Sequence, residues 1–69
     1  MESTGTEELE ALLEYLVKHN RSHAGEIMDL AVRAERLGKT EAYDHLVTGV
    51  ARLNDSNKSL EAALAALRG

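Results

Sequence analysis

The chain has 69 residues, a net charge of −4 and no cysteine, so one domain is the upper limit and disulfides, thiolate zinc sites and iron–sulfur clusters are excluded. Acidic and basic residues are interspersed, which leaves no basic patch for nucleic acid, and no apolar run reaches the roughly 18 residues of a membrane span. An alanine-rich composition without proline favours helix. We therefore expect a small all-α protein with an aliphatic core.

Residues 1–5 carry neither the basic nor the apolar segment of a signal peptide and are predicted to be frayed, with a cytoplasmic location as the default. A single helical-hairpin domain is then expected over 6–69. Thr6 is a candidate N-cap, and the acidic residues after it suit the positive end of a helix. Thr4 and Glu7 would form a capping box two residues earlier, so the sequence leaves the start of the helix open.

The first helix is predicted over about 7–37 from an uninterrupted heptad pattern. Alternating steps of four and three residues connect its core positions, which are Leu9, Leu13, Leu16, Asn20, His23, Ile27, Leu30, Ala34 and Leu37. Gly38 follows as a left-handed C′ residue, and two arginines in the last turn suit the helix dipole. This combination indicates a long helix that ends at a tight turn.

The second helix is predicted over about 40–68, with Thr40 as its N-cap. Its heptad positions are Tyr43, Leu46, Val50, Leu53, Asn57, Leu60, Leu64 and Leu67. The polar stretches Asn20–Ser22 and Asn54–Asn57 resemble loops in composition, and a break in either helix there is the main alternative. Both heptad patterns pass through these stretches without a change of phase, which favours two continuous helices.

A link as short as Gly38-Lys39 makes the two helices antiparallel neighbours. Folding back at the link puts His23 opposite Asn57 and leaves Asn20 one layer away. The polar exceptions in the two patterns therefore fall at one level. We predict a buried polar layer of Asn20, His23 and Asn57 that fixes the register of the hairpin, as single polar residues do in coiled coils.

Two helices of this length, the first about 46 Å long, contact each other only along a narrow strip of surface. Small residues repeat at every seventh position beside the predicted core positions of each helix. These flanking positions are Val17, Ala24 and Ala31 on the first helix and Ala42, Gly49, Ser56 and Ala63 on the second. Small residues allow close approach, so the flanks predict contact with a second copy and a homodimeric four-helix bundle. Another helical protein is the alternative partner.

His19, His23 and Glu26 share one face of the first helix, because three or four residues make about one turn. Two imidazoles and a carboxylate within two turns are a ligand set for divalent Zn, Ni, Co or Cu. A metal-binding or metal-homeostasis protein is therefore the alternative to a structural layer. The order differs from the Glu-x-x-His of di-iron bundles, and no hydrolase triad or phosphate loop is present, so we expect no enzyme.

The motif HN-x-x-HA within 18–26, the Leu-Gly turn at 37–38 and the late Asn57 together resemble a family of short uncharacterised helical domains. The similarity covers nearly all of the chain. It implies no particular activity, and it implies that four residues matter as a group, namely His19, Asn20, His23 and Asn57. From the residues themselves we expect a non-enzymatic, self-associating helical hairpin that acts as an assembly or interaction module.

Overall fold

The computed structural model describes residues 2–69, with side chains from residue 5 onward, and these residues form two helices. Helix α1 runs over Glu2–Arg36 and helix α2 over Thr40–Arg68, and they pack against each other as a hairpin 56 Å long. Both helices continue through their polar stretches, so the prediction of an all-α hairpin of two long helices is confirmed. Neither helix has a stretch apolar enough to cross a membrane, as far as the described residues go.

The beginning of α1 differs from the prediction. The helix starts at Glu2, so Thr6 lies within it and is not its N-cap. Residues 2–5, which the sequence predicts to be frayed together with Met1, belong to the helix. Met1 itself and the capping box predicted for the side chain of Thr4 fall outside the part of the chain that the structure describes.

The link between the helices is a tight turn centred on Gly38, whose φ of 76° is the left-handed conformation predicted for it. The N–H of Lys39 donates to the carbonyl of Ala34 at 2.9 Å, and that of Gly38 donates to the carbonyl of Glu35 at 3.0 Å. These two hydrogen bonds make a Schellman motif. Lys39 is the N-cap of α2 and makes no side-chain capping hydrogen bond, so the cap predicted at Thr40 is one residue too late.

Helix α2 packs with the heptad positions that its sequence predicts. Three of them are buried, namely Val50, Asn57 and Leu64. The other five are half-buried, namely Tyr43, Leu46, Leu53, Leu60 and Leu67. The prediction for this helix is confirmed at all eight positions.

Helix α1 packs with a different side from the predicted one. Its buried residues repeat every seven positions and are Val17, Ala24 and Ala31, which we call the inner side. Their predicted role as a contact to a second copy is therefore wrong, because they form the core of the hairpin itself. The half-buried positions 13, 20, 27 and 34 belong both to the predicted core positions and to the observed ones. Relative to the prediction, α1 is therefore rotated about its own axis. Alanines allow α2 to approach closely and to pack its larger side chains against them.

The hairpin is long and has a thin core. Its radius of gyration is 16.0 Å, against about 11 Å for a compact chain of this length. Its accessible surface is 5180 Å², against about 4250 Å² for a folded monomer of 7.5 kDa. The isolated hairpin therefore exposes about 900 Å² more than a monomer of its mass ordinarily does.

Ion pairs connect the two helices along their exposed edges. Arg68 at the end of α2 binds the carboxylates of Glu10, at 3.2 Å, and Glu14. The hydrogen bonds that Arg68 donates to Glu14 and then to Glu10 raise the pKa of its guanidinium. Nearer the middle, Arg21 pairs with Glu61. Such exposed pairs contribute little to stability, but all of them join α1 to α2 in the same register.

Candidate functional site

The polar layer inside the hairpin consists of two asparagines. The side-chain amide of Asn20 donates a hydrogen bond to Oδ1 of Asn57 at 3.2 Å. The amide of Asn57 in turn donates to the backbone carbonyl of Val17 at 3.1 Å, and Asn57 is only 6% exposed. No buried side-chain nitrogen or oxygen among the described residues lacks a partner. A layer that is satisfied in this way adds no unpaired polar group to the core.

His23 does not belong to this layer, contrary to the sequence expectation. Its side chain is 49% exposed, and Asn20, three residues earlier, takes the place opposite Asn57. The rotation of α1 accounts for the exchange, because three residues are almost one helical turn. An asparagine amide also has both a donor and an acceptor to offer in a small volume, which suits a close contact between helices.

His23 instead forms a pair with His19 on the exposed surface of α1. The Nε2 atoms of the two rings are 2.8 Å apart, and the rings meet edge to face with their centroids 4.2 Å apart. Tyr15, one turn earlier, stacks on His19 with the ring centroids 5.4 Å apart and an angle of 13° between the planes. The i, i+4 spacing of Tyr15 and His19 is the sequence signal for this third ring, which is not among the site residues predicted above. We call His19 and His23 the imidazole pair.

Glu26 is the third member of the predicted metal-ligand set, and it lies on the other edge of the His23 ring. Its Oε1 is 3.2 Å from Nδ1 of His23, whereas the imidazole pair meets through Nε2. The structure thus brings all three residues together, but with two imidazole nitrogens on one side and the carboxylate on the other. Within the described residues, no group of three or more His, Cys, Asp or Glu side chains is arranged to hold a metal ion.

The imidazole pair lies in the middle of an exposed apolar strip. One side of α1 presents Leu9, Leu16 and Leu30, and Leu37 follows in the turn directly after the helix. These leucines lie at intervals of seven residues, with His23 at the central position. We call these four leucines the leucine row. They are between 41% and 74% exposed, and Leu12 and Tyr15 beside them are 56% and 59% exposed. The row spans about 42 Å of helix, which is most of the length of the hairpin. The described residues enclose no pocket.

Comparison with known proteins assigns the chain to a family without assigning an activity. A family model for a domain of unknown function, DUF8180, matches residues 9–67, so the chain belongs to this family. The match includes the leucine row, the imidazole pair and both asparagines of the polar layer, and it singles out none of them. No curated protein and no solved structure shows significant similarity to the chain.

Proposed function

We propose that this DUF8180 protein is a non-enzymatic assembly module that forms a homodimer through the leucine row of α1. The observation that supports the proposal is the position of the largest aliphatic side chains. The hairpin buries valine and alanine on the inner side of α1 and leaves four leucines in line on the outer side. Contiguous exposed apolar surface of this kind marks sites of protein contact.

The surface area of the hairpin supports the same proposal. The excess of about 900 Å² over a typical monomer is close to the roughly 800 Å² that each partner contributes to a standard interface. Docking α1 of one copy on α1 of another would cover the leucine row and bring four helices together. A dimeric four-helix bundle of this kind has its second copy on the outer side of α1, not on the small-residue flank.

A second copy fits the row better than an unrelated helix because the row is symmetric. Two leucines lie on each side of His23, at the same distances in sequence. A two-fold axis that crosses the helix at His23 therefore places Leu16 on Leu30 and Leu9 on Leu37 of the second copy. A self-complementary patch is what a two-fold interface requires.

The test is the mass of the protein in solution, measured by sedimentation equilibrium on the metal-free chain and on Leu16→Glu, Leu30→Glu and the double variant. The wild-type protein is expected to have about twice the mass of its 7.5 kDa chain. Loss of a buried leucine costs about 1.5–3 kcal/mol, and each substitution occurs twice in a homodimer. Each single variant should therefore raise the dissociation constant about 100- to 10,000-fold.

The matched control is Ala51→Glu, which adds the same charge at an exposed position of α2. It should leave the mass unchanged, and circular dichroism should show full helicity for every variant. A wild-type chain that is monomeric at high micromolar concentration, both without and with added divalent transition metal, would contradict the proposal. So would a dimer that Ala51→Glu dissociates as readily as Leu16→Glu does. Capture of a different helical protein by a monomeric wild-type chain would replace it with a heteromeric module.

A further inference from the structure

The imidazole pair has the geometry of half a metal site. Two nitrogens that bind one metal at about 2.0–2.1 Å are about 2.9 Å apart for a right-angled pair and about 3.3 Å apart for a tetrahedral pair. The observed separation of the two Nε2 atoms is 2.8 Å. Both side chains are at the surface, so a change of a few tenths of an ångström requires only small rotations of the rings.

Glu26 and Tyr15 orient this pair. A carboxylate 3.2 Å from Nδ1 of His23 favours a proton on that nitrogen. Nε2 of His23 is then the acceptor of the hydrogen bond between the two Nε2 atoms, and a metal ion bound by both nitrogens would replace this hydrogen bond. Metal-binding histidines ordinarily have such a carboxylate on their second nitrogen. The ring of Tyr15 stacks on that of His19 and restricts its rotation. The chain therefore supplies two oriented imidazoles and one outer carboxylate.

One chain does not supply enough ligands. Structural zinc is bound by four protein ligands, and the part of the chain that the structure describes has no third donor placed beside the two Nε2 atoms. The missing donors have to come from solvent or from another molecule. The position of the pair in the leucine row decides between these two sources.

His23 is the central position of the row, so both ways of building a symmetric dimer bring the imidazole pairs together. If the two-fold axis crosses α1 at its central position, His23 faces His23 of the second copy, and each His19 lies about 6 Å along the helix from the axis. If the axis runs along the helices, each level of α1 faces the same level of its counterpart. The two pairs are neighbours in either case, flanked on both sides by leucine contacts that exclude water.

We propose that the homodimer binds one divalent transition-metal ion, such as Zn²⁺, through Nε2 of His19 and His23 from both copies. The inference rests on the proposed function, because the leucine row is what brings the second pair of ligands. Four neutral imidazoles suit zinc, cobalt, nickel and copper and do not suit magnesium or calcium. Glu26 acts as a positioning residue that holds the His23 ring.

Stoichiometry is the direct test. Calorimetric titration of the metal-free protein with zinc chloride should give one metal ion for every two chains. Replacement of zinc by Co²⁺ should give the intense visible absorption of a tetrahedral site. His23→Gln and His19→Gln should weaken binding at least 100-fold, whereas His45→Gln, at an exposed position of α2, should bind as the wild type does. Glu26→Gln should weaken binding about 10- to 100-fold with the stoichiometry unchanged.

Mass measured with and without zinc separates failure of the site from failure of the dimer. A metal-free dimer that binds no zinc, or binds it equally well as His23→Gln, overturns the metal site and leaves the assembly module standing. A chain that stays monomeric and binds zinc one to one overturns both proposals. A monomer that becomes a dimer at one zinc per two chains supports the shared site and makes the assembly metal-dependent. Leu16→Glu should then weaken zinc binding although it removes no ligand.

Discussion

The inner side of α1, which packs on α2, carries Val17, Ala24 and Ala31, whereas the outer side carries the leucine row. Ala31 is 0% exposed and its neighbour Leu30 is 49% exposed, so the smaller of these two adjacent apolar side chains is the buried one. The difference shows that burial depends on how two surfaces fit together. A close contact between α1 and α2 uses small residues, and the larger apolar side chains of α1 are left exposed.

The largest expected effect is the contrast between Ala31→Glu and Leu30→Glu. A carboxylate at position 31 would be buried without a partner, which costs about 3–5 kcal/mol. That is most of the stability of a chain of this size, about 3–10 kcal/mol. Thermal and urea unfolding followed by circular dichroism should show a largely unfolded Ala31→Glu protein.

Leu30→Glu introduces the same residue one position earlier and should leave the hairpin folded. Its unfolding midpoint should lose the dependence on protein concentration that a dimer shows. Equal loss of helicity in the two variants would mean that the inner and outer sides of α1 are not distinct.

The same contrast shows what the sequence could and could not predict. Helix α2 has a single apolar stripe, and all eight predicted core positions are buried or half-buried in the structure. Helix α1 has two candidate stripes that share positions 13, 20, 27 and 34. Hydrophobicity favours the stripe with leucine at 16 and 30. The structure instead buries the stripe with alanine at 24 and 31, because small side chains allow two helices to approach closely.

The candidate site was affected by the same ambiguity. The i, i+4 and i, i+3 spacings within α1 correctly grouped His19, His23 and Glu26, because such spacings depend on the helix alone. The partner of Asn57 depends on which side of α1 faces α2, and sequence reasoning placed His23 there instead of Asn20. Contacts within a helix could therefore be predicted from the sequence. Contacts between the helices could be assigned only once the structure showed which side of α1 faces α2.

An intermediate effect is expected for the polar layer on the inner side. Asn57→Ala removes two hydrogen bonds from a buried position and should cost about 1–3 kcal/mol of unfolding free energy. Asn20→Ala removes one and should cost about 0.5–1.5 kcal/mol. Because the two side chains share a hydrogen bond, the double variant should be more stable than the sum of the single effects predicts, by about 0.5 kcal/mol or more.

His23→Ala is the matched comparison from the outer side. It is expected to change the stability of the monomeric hairpin, tested in the Leu16→Glu background, by no more than about 0.5 kcal/mol. Chemical denaturation of the four proteins gives all of these values. A large cost for His23→Ala together with no coupling between the asparagines would restore the layer that the sequence predicted.

The smallest effect concerns the third side of α1, which is neither the inner side nor the leucine row. Gly25 lies there in the helix interior, and a Cβ atom at this position would meet nothing within 4 Å. Gly25→Ala should therefore stabilise the hairpin by about 1 kcal/mol and leave the mass of the assembly unchanged.

Gly38→Ala, in the turn between the helices, is the matched comparison. Its surroundings are equally open but its φ is 76°, so the same substitution should destabilise the hairpin by about 1–2 kcal/mol. Thermal unfolding should show a higher melting temperature for Gly25→Ala and a lower one for Gly38→Ala. Since an added Cβ atom has no close contact at either position, the difference would come from the backbone conformation. If Gly25→Ala instead weakened the dimer, the third side would belong to the interface, and the leucine row would not be the whole contact surface of α1.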